Sequence, residues 1–153
     1  MAVAGVPLMT DPAYTLAMDE TITEGGCLCG AIRYRVTAPV VNASNCHCTI
    51  CQKAAGAMFV SWMTFPLESF AITRGKLKIF MSSKSGERGF CGDCGSALTF
   101  SHTGDPDVID ITTATADDPT AWPPTHHIWT STRVPWLHAS ADLPSYESNK
   151  PKE

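Results

Sequence analysis

The sequence predicts a mainly β domain, and three observations carry that reading. Apolar residues recur at every second position in several short runs, helical patterning is confined to one brief stretch, and all seven cysteines fall into three tight groups. At 153 residues the chain is long enough to bury a core as one domain without disulfide staples.

Residues 1–24, with Pro7, Pro12 and the weakly patterned "AYTLAMDETI", read as an N-terminal arm. The organised domain runs over residues 25–143, and 144–153, "PSYESNKPKE", is a polar C-terminal tail. Within the domain, "AIRYRV" alternates Ile32, Tyr34 and Val36 with Arg33 and Arg35, the pattern of a half-exposed strand. "AMFVSWMTF" is apolar enough for a buried strand, and "FAITRGKLKIFMSS" reads as two strands about a turn at Arg74-Gly75-Lys76. Further strands are expected in "SALTFSH", "DVIDITTATA" and "HHIWTSTRVPW". The one helical candidate starts at Thr49, continues through "ICQKAA" and stops at Gly56, a residue suited to a helix C-terminus.

A net charge of −4 with 11 Lys+Arg and no basic run gives little electrostatic reason to bind a phosphate backbone, so no nucleic-acid partner is expected. No apolar run approaches the roughly 20 residues of a membrane span, and Met1 to Glu24 lacks the features of a secretory signal. No membrane association and a cytoplasmic location are the expectations.

The cysteines fall as Cys27-x-Cys29, Cys46-x-Cys48-x-x-Cys51 and Cys91-x-x-Cys94. An odd number leaves any full disulfide framework with one thiol over, whereas cysteines this close together chelate one metal ion well. Cys27, Cys29, Cys91 and Cys94 together complete a four-sulfur zinc site, closed and structural, with glycines in "GGCLCG" and "CGDCG" permitting the tight turns. Ordinary buried thiols or a redox pair are the plainer readings of these doublets.

Cys46, Cys48 and Cys51 offer only three ligands, and a zinc held by three side chains keeps an exchangeable position. Three thiolates outweigh the ion's charge, which makes it a poor generator of hydroxide and a good acceptor for a further sulfur. A thiol bound there is held as its nucleophilic thiolate. Closure by a histidine (His47, His102, His126, His127 or His138) or an oxidisable thiol cluster remain open alternatives at this point.

"GGCLCGAIRY", "CHCTICQKAAGA", "FCGDCGSALTF", "TATADDP" and "HHIWTSTRVPW" together resemble the glutathione-dependent formaldehyde-activating enzyme family, which includes the centromere protein V relatives. The resemblance spans residues 25–143. It implies an Mss4-like fold of small antiparallel sheets stapled by zinc, with two Zn2+ per chain. Cys27, Cys29, Cys91 and Cys94 would hold the structural zinc and Cys46, Cys48 and Cys51 the catalytic one. It further implies a carbon–sulfur lyase-type activity on a small thiol or thiol–aldehyde adduct, such as glutathione plus formaldehyde.

Phe59, Trp62, Trp129 and Trp136 are candidates for an apolar substrate wall, though each also suits the core. Gln52 and Lys53 follow the third ligand and are placed to meet a carboxylate or oxyanion. His127 is the proton-transfer candidate, with His126 facing the other way on a strand. Asp117 matches a family acidic position and also suits a turn. No cation cluster matched to glutathione's carboxylates is evident; Arg33, Arg35, Lys53, Arg88 and Arg133 are dispersed. A non-catalytic zinc module binding a protein partner, and a thiol redox sensor, are the competing functions.

Overall fold

The computed structural model describes residues 22–137, 143, 146 and 147. The arm up to residue 21, most of the tail and His138 lie outside the described residues. The strands are β1 (Thr23–Gly26), β2 (Arg33–Val36), β3 (Asn42–Cys46), β4 (Val60–Pro66), β5 (Phe70–Arg74), β6 (Lys78–Met81), β7 (Gly86–Phe90), β8 (Ala97–His102), β9 (Asp105–Thr112) and β10 (His126–Ile128). The α-helix among the described residues is α1 (Thr49–Ala55). The protein is mainly β, as its alternating runs require.

β1, β2 and β5 make an antiparallel three-stranded sheet in the order β1-β2-β5. The other seven strands form one sheet in the order β10-β3-β4-β9-β8-β7-β6. All its pairings are antiparallel except β10 with β3, which run parallel. β1 takes in Thr23 and Glu24, so the fold begins slightly before residue 25.

The main core joins the two sheets. Ile32, just before β2, and Tyr34 and Val36 of β2 are buried with Met63 and Phe65 of β4, Leu98 of β8 and Ile109 and Ile111 of β9. Each large side chain buried here contributes about 2 kcal/mol relative to exposure. The register sets Met63 opposite Ile111 and Phe65 opposite Ile109, so one face of the large sheet meets the small sheet. Strand alternation then sends Val60 and Trp62 to the other face, where they form a second cluster with Cys46 and Cys51. The cysteine triplet therefore lies on the face of the large sheet away from the main core.

Two expected strand runs turn out differently in detail. "FAITRGKLKIFMSS" does form two strands about Gly75, whose φ is +76°, but they do not pair with each other. β5 joins the small sheet and β6 the large one, and a side chain at position 75 would collide with the Ala31 carbonyl. "HHIWTSTRVPW" is strand only over its first three residues. Trp129, at φ 58°, is the non-glycine residue with positive φ among those described, and it turns the chain out of β10 into a 3-10 turn.

Candidate metal centres

Cys27 and Cys29 follow β1 of the small sheet, while Cys91 and Cys94 lie between β7 and β8 of the large one. Two matching turns aim their sulfurs. The Gly30 amide donates to Cys27 O at 3.0 Å and the Gly95 amide to Cys91 O at 2.9 Å, with both glycines at positive φ. Sγ of Cys27 and Cys29 are 3.6 Å apart, and those of Cys29 and Cys91 3.9 Å. Four sulfurs around one zinc at the usual bond length stand about 3.8 Å apart, so the donor set fits such an ion. The Ile32 amide donates to Cys27 Sγ at 3.2 Å, an interaction that favours thiolate. The Ser96 hydroxyl, with the Ser96 amide, holds Cys94 at about 5.

The triplet is built from one short segment. Cys46 ends β3 and is buried; the His47 amide then donates to Ile128 O at 3.0 Å and continues the parallel pairing with β10. Cys48 is the N-cap of α1, its Sγ accepting from the Cys51 amide at 3.2 Å in the role an Asp or Ser oxygen usually takes. Cys51 sits in the first turn, and Gly56 ends the helix in the left-handed conformation. Cys46 Sγ lies 3.7 Å from Cys51 Sγ, again a separation that fits two thiolates on one metal ion. Among the described residues no histidine, aspartate or glutamate brings a fourth donor atom to the same spacing.

Charge in the triplet settles on Cys51. The hydrogen bond from Cys46 is its largest influence, and with the Cys48 thiol and the Arg88 guanidinium it overcomes burial and holds Cys51 at about 5. Cys46 is pushed up, first by that same shared proton and then by burial. Arg88 Nη2 donates to Cys51 Sγ at 3.4 Å, its Nε donates to Ser82 Oγ at 3.1 Å, and its guanidinium lies 4.7 Å from the Phe100 ring centroid.

The three sulfurs border a cavity of about 560 Å³. That volume is within the range of small-molecule sites. Trp62, Phe100, Ile128 and Trp129 supply much of its apolar lining, while Arg88 and Asp110 are its principal inward charges. Register explains this membership: Cys46 pairs with Ile128 and with Val60, Trp62 with Thr112, and Thr64 with Asp110. Burial pushes the Asp110 carboxyl up, against a hydrogen bond from Thr64 at 2.5 Å.

Of the residues expected to bind substrate, Trp62 and Trp129 line the cavity and the others do not. Gln52 spends its amide on the backbone, donating to His47 O at 2.9 Å and Thr132 O at 3.2 Å. Lys53 is exposed on α1, and Trp136 is exposed away from the cavity. Phe59 rests against the His47 ring, centroids 5.6 Å apart.

His127, the expected proton-transfer residue, does not line this cavity. It neighbours Ile128, which pairs with Cys46, so alternation sends its side chain to the opposite face of the sheet. There its Nδ1 lies 2.9 Å from His47 Nε2, which Arg133 Nη2 approaches at 3.1 Å. Asp117 accepts a bidentate pair from Arg33, tying the chain after β9 to β2. Arg88, Phe100 and Asp110 are among the cavity residues the sequence did not single out for this site. Arg88 had a weak signal as a dispersed cation; Asp110 and Phe100 had none, because only strand register brings them here.

Residues 22–132 match the family model described as glutathione-dependent formaldehyde-activating enzyme. A candidate glutathione-dependent formaldehyde-activating enzyme of Halomonas elongata is 31% identical over 127 residues, covering 76% of this chain and 80% of that protein. An uncharacterized lyase of Schizosaccharomyces pombe is 32% identical over 80 residues, covering 52% of this chain but only 58% of the relative. The crystal structure of a Rhodobacter sphaeroides protein shares the fold, with a TM-score of 0.56 at 20% identity over 68% of this chain and 98% of that one.

Proposed function

Since the chain belongs to the glutathione-dependent formaldehyde-activating enzyme family, we propose that it is a zinc-dependent enzyme of the carbon–sulfur lyase type. Its substrate is a small thiol or thiol–aldehyde adduct, for which glutathione plus formaldehyde is the type case. Two zinc ions per chain are part of this reading, a structural one on the four-cysteine set and a catalytic one on the triplet.

The observation that carries the proposal is the triplet itself: three thiols at metal-ligand spacing, open to a cavity, with no fourth protein donor among the described residues. When bound, zinc at such a site accepts a further sulfur and favours its thiolate form. The chain's own residues do the rest. Arg88 offsets negative charge at Cys51 through its hydrogen bond. Trp62, Phe100 and Ile128 exclude water from one side of the reacting sulfur. In the net reaction a carbon–sulfur bond forms between thiol and aldehyde carbon, and the thiol proton ends on the former carbonyl oxygen; the lyase direction reverses both.

The test is zinc per chain by elemental analysis of anaerobically purified protein, with turnover of a panel of small thiols with formaldehyde, glutathione among them, measured alongside. Native protein should hold two ions, and Cys48→Ser one, with the fold kept and turnover lost. Serine retains an oxygen for the helix cap, so unfolding does not obscure the result. A single ion in native protein after metal supply, or normal turnover in Cys48→Ser, would overturn the proposal.

A further inference from the structure

The cavity beside the triplet has a lopsided charge. Among the described residues its ionisable lining, apart from the cysteines, is Arg88, His102, Asp105 and Asp110. The one arginine is already engaged with Cys51, Ser82 and the Phe100 ring. His102 is engaged on both ring nitrogens: Nδ1 accepts from the Gly104 amide at 2.9 Å and Nε2 lies 2.8 Å from Ser85 Oγ. Among the described residues no lysine lines the space.

Against this stand two carboxylates. Asp105 is exposed at the cavity's rim. Asp110 is recessed, and Thr64 is its hydrogen-bond partner among the described residues, with no cation there within ion-pairing distance. Three thiolates around a divalent ion add one further net negative charge. A ligand whose sulfur sits at the triplet therefore extends its other end into a field that repels anions and attracts cations.

The register sets the span. Asp110 pairs with Thr64 and Thr64 with Asn42, which is four residues from Cys46 along β3. Four residues along the strand and two strand spacings across the sheet put Cys46 and Asp110 about 16 Å apart at backbone level. Both side chains project into the cavity, so the gap between their tips suits an extended tail of several atoms.

The geometry points to a cavity that selects thiols and thiol adducts whose end away from sulfur is an ammonium or neutral group. Asp110 receives the ammonium. Tails ending in carboxylates, those of glutathione included, are disfavoured. This rests on the triplet binding thiols as proposed above, and it narrows the substrate class to adducts of aminothiols and uncharged thiols, with aminothiols preferred.

The test reads binding rather than turnover, from the sulfur-to-metal charge-transfer absorption of the cobalt-substituted protein titrated with thiols. Aminopentanethiol, mercaptopentanol and mercaptopentanoate match in length and differ in terminal charge; glutathione is the fourth probe. The amine should bind about tenfold more tightly than the carboxylate, with the difference shrinking as salt is raised. In Asp110→Asn the preference should fall to about twofold. The native ranking and its salt dependence keep the test decisive if that variant folds poorly. If mercaptopentanoate or glutathione perturbs the absorption at concentrations as low as the amine does, the charge selection is wrong while thiol binding stands. If no thiol perturbs it, thiol binding at the triplet fails, and this inference with it.

Discussion

Arg88 of β7 donates a hydrogen bond to the sulfur of Cys51 on α1 at 3.4 Å, and the same guanidinium lies over the Phe100 ring. A cation thus meets the thiol that carries the triplet's charge. The contact links α1 to the β7–β8 hairpin, which is remote from it in sequence, and depends on the strand order of the large sheet.

Arg88→Gln should raise the pH at which the metal-free triplet first ionises. Cys51 is held at about 5 by Cys46 first, then by Cys48 and Arg88, so removing the arginine takes away only part of the effect. Thiolate ultraviolet absorbance against pH should show a midpoint moved upward by less than the full distance to an ordinary thiol. An unchanged midpoint would show that the contact carries no electrostatic weight.

The four-cysteine set joins the small sheet to the large one, so its loss should be global. Cys94→Ser is expected to cost about 3 kcal/mol or more, a drop in Tm of about 10 °C. Cys48→Ser, which leaves both sheets and the helix cap in place, should cost about 1 kcal/mol or less. Thermal melts of the two variants check the contrast.

Gly25 leaves no room for a side chain: a Cβ there would overlap the Tyr34 hydroxyl and the Thr115 carbonyl. Tyr34 is buried and its hydroxyl is 3.1 Å from Thr115 Oγ1, so neither neighbour can retreat freely. Gly25→Ala should destabilise by about 2 kcal/mol, measured by denaturant midpoint at unchanged m-value.

Arg33 holds the Asp117 carboxyl below its ordinary range through their hydrogen-bonded pair. A depressed carboxylate contributes stability that is fully present above the unfolded value of about 4 and is lost as pH falls through the lower folded-state value. Both partners are substantially exposed, so the contribution is below about 1 kcal/mol. Asp117→Asn should lower Tm by a few degrees at neutral pH, and the difference from the native protein should vanish in strong acid.

The two candidate metal sites were legible in the chain because their cysteines come in local groups. The spacing Cys46-x-Cys48-x-x-Cys51 spans a strand end, a helix cap and a first helical turn, all set by neighbouring residues. The stop at Gly56 and the alternation through Ile32, Tyr34 and Val36 were legible for the same reason. His127 was not: its facing follows from parallel pairing with β3, and Trp129 ends that strand after three residues. Trp62 and Trp136 have similar claims by composition, yet one lines the cavity and the other is exposed elsewhere.

The sequence by itself determined the family, the mainly β class and the two sets of cysteines, because each rests on residue types at short spacings. Only the tertiary structure decided that the triplet lies on the outer face of the large sheet, and that Arg88, Phe100 and Asp110 share its cavity. The physical reason is register. A strand's side chains alternate, so which residues face a site depends on how distant strands align, and a shift of one residue would exchange the cavity face for the core face.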